Sequence, residues 1–328
     1  MLNYKHDNQN YCTKFDMINT VTVTTSARLH MGFFDLKGSV SRTFGSLGLC
    51  IDAPCTQIVV TKSDKTGIEA NYDENIIKIV ENIIKIVEVE QKFLLTIRQS
   101  IPQHAGLGSG TQLALAIGVG LSALFNLNLT VPQISILSKR GNRSGIGVAA
   151  FEHGGVLVDS GKTNNELPKI ALRQAFPDNW RVLLIADSAY IGVHGEVELQ
   201  AFQSLKPAHH SLRTMIFEHM MPALQRADLF AFGAYMANLQ VYNGDYFAPI
   251  QGGRYASNDV ANVLLWLQQN GVVCVGQSSW GPTGFAILES EERANIMLKQ
   301  LQHQFLSLNN LSFQVVRGKN SGAVLTQG

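Results

Sequence analysis

Three glycines within five residues, in the run Gly106-Leu107-Gly108-Ser109-Gly110, constrain this chain more than any other feature. A strand-like run, Phe93-Leu94-Leu95-Thr96-Ile97, leads through Pro102 into the loop, and an apolar segment with helical spacing follows from Leu113 to Leu127. The order is strand, glycine loop, helix. Glycines let the backbone turn tightly and approach a ligand closely, and the helix's first turn offers N–H groups without intrahelical partners at the positive end of its dipole. An anion, phosphate above all, suits Gly106, Gly108, Ser109, Gly110 and Thr111. A turn that merely caps a buried helix fits the same residues equally well. Three familiar loops are excluded: there is no lysine between Pro102 and Ala116 for a Walker A loop, the glycines lack dinucleotide spacing, and Leu107 denies Ser109 a nucleophile elbow.

The 328 residues, 45% of them hydrophobic, suffice for a large core and two domains. With 26 Lys and Arg against 25 Asp and Glu, there is no electrostatic case for nucleic acid or an anionic membrane surface, so the expected partner is a small molecule. Cys12, Cys50, Cys55 and Cys274 are scattered without metal-ligand spacing and read as reduced, structural thiols of a cytoplasmic protein. The polar N-terminus has no apolar signal core, and the longest apolar helix falls short of the ~20 residues that cross a bilayer.

Alternating β-branched residues from Thr20 to Phe34 predict one or two strands, with Arg28 and His30 on one face. Together with Asp35 and Arg42 they can wall a pocket or form a surface ion cluster. The twice-repeated NIIKIVE of residues 75–88 predicts an amphipathic helix without chemistry of its own. Further helices are expected over Thr111 to Asn126 and, capped by Thr130 with Pro132 in its first turn, from Val131 to about Gly141. A domain boundary falls at Phe176-Pro177-Asp178-Asn179, giving domains 1–178 and 179–328. The second half reads as a strand at Arg181 to Ile185, a broken helical region from His209 to Tyr242, a helix from Asp259 to Asn270, strands at Val272 to Gly276 and Thr283 to Leu288, a helix from Glu291 to Phe305 and a strand at Leu311 to Arg317. This is an α+β arrangement. Trp280, in a polar glycine-rich turn, suits stacking on a ring or capping the core equally. His209, His210 and His219 have no companion ligands at metal-binding spacing; His194 precedes a helix start at Gly195 and can face a cleft.

The loop, set in HAGLGSGTQLALA, resembles motif two of the GHMP superfamily, the galactokinase, homoserine kinase and mevalonate kinase group, and in particular its β-ribofuranosylaminobenzene 5′-phosphate synthase branch. The same branch is matched by SARLHMGFFDL, RTFGSLGLCID, RSGIGVAAFEHGG and YFAPIQGG, so the resemblance runs from about Thr24 to Ala286. It implies a ribosomal protein S5 domain 2-like N-terminal domain and a ferredoxin-like C-terminal one. In the kinases the stretch aligned with Ser144-Gly145-Ile146 carries an Asp that receives the substrate hydroxyl proton; here that position is Gly147. A kinase reading needs another carboxylate, such as Glu152 or Asp159.

The branch implies condensation of 5-phosphoribosyl 1-diphosphate with 4-aminobenzoate or 4-hydroxybenzoate, with release of carbon dioxide and diphosphate, on the way to a methanopterin-type cofactor. Mg²⁺ is expected with the diphosphate, and a homodimer is in keeping with the family. Arg28 and Arg143 are candidates to add positive charge, and Asp35 and Glu196 to favour an oxocarbenium-like centre. His30, Arg42, His104, Gln112, Gln251, Gln277, Ser278, Ser279 and Trp280 are the residues expected around the substrates. An ATP-dependent small-molecule kinase and a non-catalytic sensor of phosphorylated ligands are the competing readings.

Overall fold

The computed structural model describes residues 18–36, 44–69, 74–162, 167–192 and 211–328. Arg42, His194, Glu196, His209, His210 and Cys12 lie outside them.

The first sheet is built around two long antiparallel strands, β1 (Thr20–Phe33) and β2 (Ser46–Lys62). Along β2 run β4 (Phe93–Gln99) at one end and β5 (Val156–Asp159) at the other. β3 (Gly67–Glu69) pairs with β4 in parallel, and β6 (Ile170–Gln174) with β5. The expected amphipathic helix is α1 (Glu74–Val87): Ile76, Val80, Ile83 and Val87 are buried at helical spacing, while Glu74 and Lys78 pair in solvent. Between α1 and the sheet lies α2 (Ser109–Phe125), buried around most of its circumference. Gly118 and Gly120 allow that, since a Cβ at either would press on Ile134 or Val60.

Thr130 caps α3 (Val131–Leu137) through a capping box with Gln133, as the sequence predicts, but the helix stops at Leu137, four residues short of Gly141. Lys139 and Gly141 both take positive φ, which turns the chain back toward α2. The next short helix, α4 (Ile146–Glu152), starts at the Ser144-Gly145 turn.

The second sheet has antiparallel order β10 (Leu311–Val316), β7 (Arg181–Asp187), β9 (Gly284–Leu288), β8 (Cys274–Gln277). A π-helical turn, Met215–Met220, runs into α5 (Met221–Gln225); α6 (Leu229–Gln251) then begins at an Asp228 cap. The broken region therefore continues nine residues past Tyr242, and the Tyr246–Gly253 stretch forms its end, closed by Gly252 in the left-handed conformation. Helices α7 (Asn258–Gln269) and α8 (Glu291–Gln304) cover one face of this sheet through Val263, Leu264, Leu267, Met297 and Leu301.

One hydrophobic core joins the two sheets: Leu29, Met31 and Leu49 pack with Trp180, Phe232, Met236 and Phe285. The last strand, β11 (Val324–Gln327), returns across residue 178 to pair with β1. Among the described residues no helix is long and apolar enough to cross a membrane. Cys50 and Cys274 are buried free thiols, their acidity weakened by burial.

Candidate active site

The middle of β1 holds the site together. Its register breaks between Ser26 and Arg28 and again between His30 and Gly32. The freed groups turn to two loops: Arg28 N–H donates to Leu107 O (3.1 Å), His30 N–H to Ser278 Oγ (3.0 Å), and Ser279 N–H to His30 O (2.9 Å). Ser278 Oγ and Arg28 Nη1 both donate to Gly106 O, at 2.8 and 2.6 Å. The glycine loop and the Ser278–Gly281 turn thus lie backbone against backbone, and Gly281 is required because any Cβ there would strike the Ala105-Gly106 peptide.

Gly108, at φ 83°, starts α2 without a side-chain cap and without an acidic residue in its first turn. That leaves the helix end open to an anion. It faces a cavity of about 360 Å³ lined by Arg28, Gln103, His104, Gly106, Gly108, Ser109, Gly110, Thr111, Arg140, Ser279 and Trp280, among others. Two guanidinium groups border the loop: Arg28 packs 3.3 Å from where a Cβ on Gly108 would sit, and Arg140 Nη1 lies 3.1 Å from the same point on Gly110.

Arg140 is the residue that sequence reasoning missed. The early end of α3 is the reason: Arg140 N–H donates to Ser135 O (2.8 Å) and its own carbonyl accepts from Ser135 Oγ (2.9 Å), which hold it inward rather than on a helix surface. Its Nε is buried without a hydrogen-bond partner, and burial lowers its pKa. Gln103 Nε2 is likewise buried and unpartnered. Arg143, the expected second cation, is not among the residues lining this cavity.

Several other expectations need correction. Gln112 is fully buried: Thr25 Oγ donates to its Oε1 and its Nε2 donates to Gly147 O (2.7 Å), so it ties α2 to α4 and faces no ligand. Ser278, also without exposed surface, serves as the clamp between β1 and Gly106. Asp35 lies beside Tyr242 at the hydrophobic cluster of Phe33, Leu36, Phe247 and Trp280 and is not among the residues lining the glycine-loop cavity. Trp280 is 3% exposed and packs on Phe247 at 4.4 Å, so it caps this cluster while walling the cavity. Gln277 and Gln251 are hydrogen-bonded to each other (3.3 Å) beside a second, small cavity.

A side chain at position 147 would point at Thr111, the first turn of the loop helix, with its Cβ 3.2 Å from Thr111 Cγ2. A base at this position would lie against the first turn of α2; Gly147 puts no side chain there. Neither proposed substitute takes over. Asp159 is buried and accepts from Ser46, Ser144, Gly145 and Gly161, a structural role, with burial raising its pKa against those donors. Glu152 lines a separate hollow of about 780 Å³ on the other side of α4 with Lys162 and Lys169.

No group of three His, Cys, Asp or Glu able to hold a metal occurs among the described residues. The loop cavity is lined by hydroxyls, amides and two arginines, with no carboxylate, so the described residues do not fit a protein-held Mg²⁺.

Residues 74–155 match the family described as GHMP kinases N terminal domain and residues 220–306 that described as GHMP kinases C terminal. The chain belongs to the GHMP kinase superfamily. Within it, the chain is 32% identical over 291 residues to a β-ribofuranosylphenol 5′-phosphate synthase of Archaeoglobus fulgidus, covering 81% of this chain and 87% of the relative. It is 31% identical to the same-named enzyme of Methanocaldococcus jannaschii, covering 83% and 92%. The galactokinase structure of Lactococcus lactis superimposes with a TM-score of 0.69 over 94% of this chain and 96% of that one, at 15% identity, which speaks for the two-domain α+β fold alone.

Proposed function

We propose that the protein transfers the phosphoribosyl group of 5-phosphoribosyl 1-diphosphate to the carboxylate-bearing carbon of 4-hydroxybenzoate or 4-aminobenzoate, releasing diphosphate and carbon dioxide. The observation that carries this reading is the loop cavity itself: two guanidinium groups beside an uncapped helix end, with glycine at 147 where a kinase keeps its base. A leaving diphosphate needs anion stabilisation and no base on an acceptor hydroxyl. The similarity to the two synthases supports the same choice.

In this reading the α2 N-terminus, Ser109 and Thr111 hold diphosphate oxygens while Arg28 and Arg140 neutralise charge as the C1–O bond lengthens. A π electron pair of the ring forms the C–C bond to ribose C1, and the C1–O pair departs with diphosphate. The pair of the C–carboxylate bond then restores the aromatic ring as carbon dioxide leaves, so no oxidant or reductant is consumed. Mg²⁺ belongs to the reading as a companion of the diphosphate.

The test is release of labelled carbon dioxide from carboxyl-labelled 4-hydroxybenzoate or 4-aminobenzoate, with and without donor, in the presence of Mg²⁺. Donor-dependent release is the expected result. Turnover of ATP against a metabolite panel without such release would overturn it in favour of a kinase, and ligand binding without any product would point to a sensor.

A further inference from the structure

Behind the Ser278–Gly281 turn lies the second cavity, about 20 Å³, room for one water-sized group. Ser279 and Trp280 line both this cavity and the larger one at the glycine loop, so they form the partition between them. Its polar lining is nearly all committed. Asn243 accepts from Phe33 N–H and donates to Phe33 O and Leu239 O. Gln240 donates to Met31 O and accepts from Gln277 N–H. Gln277 accepts from Ala256 N–H and donates to Ser279 O.

His30 differs from these three amides. It is 4% exposed, and neither Nδ1 nor Nε2 has a hydrogen-bond partner. A buried polar group without a hydrogen-bond partner is destabilising, so a group that supplies one is favoured at this place. The ring is oriented by Phe33 at 4.6 Å, and Phe247 and Trp280 add aromatic walls. A neutral imidazole offers one donor and one acceptor, the complement of a hydroxyl or amino group and a poor match for a methyl group.

On the synthase reading, on which this step rests, we infer that the hydroxyl or amino substituent of the aromatic acid passes Ser279 and Trp280 into this cavity and is read by His30. The ring then lies along Trp280, with its carboxylate-bearing carbon toward the glycine loop. The hydrogen bond from the substituent to the imidazole strengthens electron donation to the ring carbon opposite, the one that attacks ribose C1. His30 therefore selects an acceptor that is already activated for the reaction.

The experiment compares dissociation constants of 4-hydroxybenzoate, 4-aminobenzoate and 4-methylbenzoate, with inorganic diphosphate as the control ligand, for the wild type, His30→Leu and His30→Asn. The wild type should prefer the hydroxyl and amino acids over the methyl acid by at least about ten-fold. His30→Leu should bring that ratio close to one while diphosphate binding stays within about two-fold, and His30→Asn should restore part of the preference. Because His30→Leu can fail to fold, the wild type is also tested alone: its His30 imidazole ¹⁵N signals should shift with 4-hydroxybenzoate and not with 4-methylbenzoate. A preference retained in His30→Leu, or unshifted signals with 4-hydroxybenzoate bound, overturns this inference and leaves the synthase reading standing. Failure of the wild type to bind any of the three acids or to release carbon dioxide overturns both.

Discussion

Replacing Gly281 by alanine tests whether the two backbones packed at the site position it. A Cβ at 281 would lie closer than 3.0 Å to the carbonyl carbon and oxygen of Ala105 and to the nitrogen of Gly106, all backbone atoms that no rotamer change can move aside. Ordinary contact begins at 3.4 Å, so the loops must part by about 1 Å. The displaced peptide leads, across the Gly106 Cα, into the Gly106 carbonyl that accepts from Arg28 and Ser278, so the guanidinium shifts with it. Misplacement by about 1 Å lowers turnover roughly 100-fold, and a loss of that order is expected here. The stability loss expected from overpacking is about 1–3 kcal/mol. The control is Gly253→Ala, where the added Cβ meets only Tyr255 O at 3.6 Å. Steady-state kinetics with varied donor, beside urea unfolding of both variants, separate the effects. Gly281→Ala with wild-type kcat and donor KM would refute the idea that this interleaving sets the geometry of the site.

Three further outcomes follow from the same contacts. Arg140→Met should raise the dissociation constant for inorganic diphosphate by about 10- to 100-fold, the loss of a charge-assisted hydrogen bond, whereas Arg143→Met should change it less than about three-fold; titration calorimetry at fixed ionic strength decides. Asp159→Asn turns an acceptor of backbone N–H groups into an amide that presents donors to donors, and should lower unfolding free energy by about 3 kcal/mol in urea. Burial, with the Arg28 charge beside it, lowers the His30 pKa to about 3, so between that value and the unfolded value near 6.5 only the unfolded chain binds the proton. Stability should therefore fall as the pH drops below about 6.5, and the wild-type slope should exceed that of His30→Leu by an amount that approaches about 1.4 kcal/mol per pH unit near pH 5; parallel slopes would contradict a neutral His30.

The elements legible in the sequence were those whose pattern is local. The duplicated NIIKIVE writes out one buried stripe, and Thr130 with Pro132 behind it writes out a helix start. The long strand β2 was not legible: in its first part Leu47, Leu49 and Ile51 face the core between the sheets while Gly48 and Cys50 lie against α4, so both faces are covered and the alternation that marks a half-exposed strand is lost. Strand β11 is exposed along its whole length and is defined only by its ladder to Val21–Thr24, some three hundred residues away in sequence. α4 is seven residues long, too short for a helical period to show.

The site divides in the same way. The glycine loop was readable because positive φ at Gly106 and Gly108, and the close approach of another backbone at Gly106, leave their mark in residue type. Arg140 and Arg143 have the same chemistry three positions apart, and what separates them is where α3 ends, which depends on Ser135 closing both backbone groups of Arg140. Likewise Ser278, Gln112 and His30 are all polar and all buried, yet only His30 keeps its hydrogen-bonding atoms unspent. Hydrogen-bond capacity left over after folding is what marks a candidate binding group, and that remainder can be counted only when every backbone partner has been placed. The same count explains why two register breaks in β1 matter more to the site than any of its side chains: they release the N–H groups that hold the glycine loop and the Ser278–Gly281 turn against each other, and between those loops the two arginines and the imidazole are set.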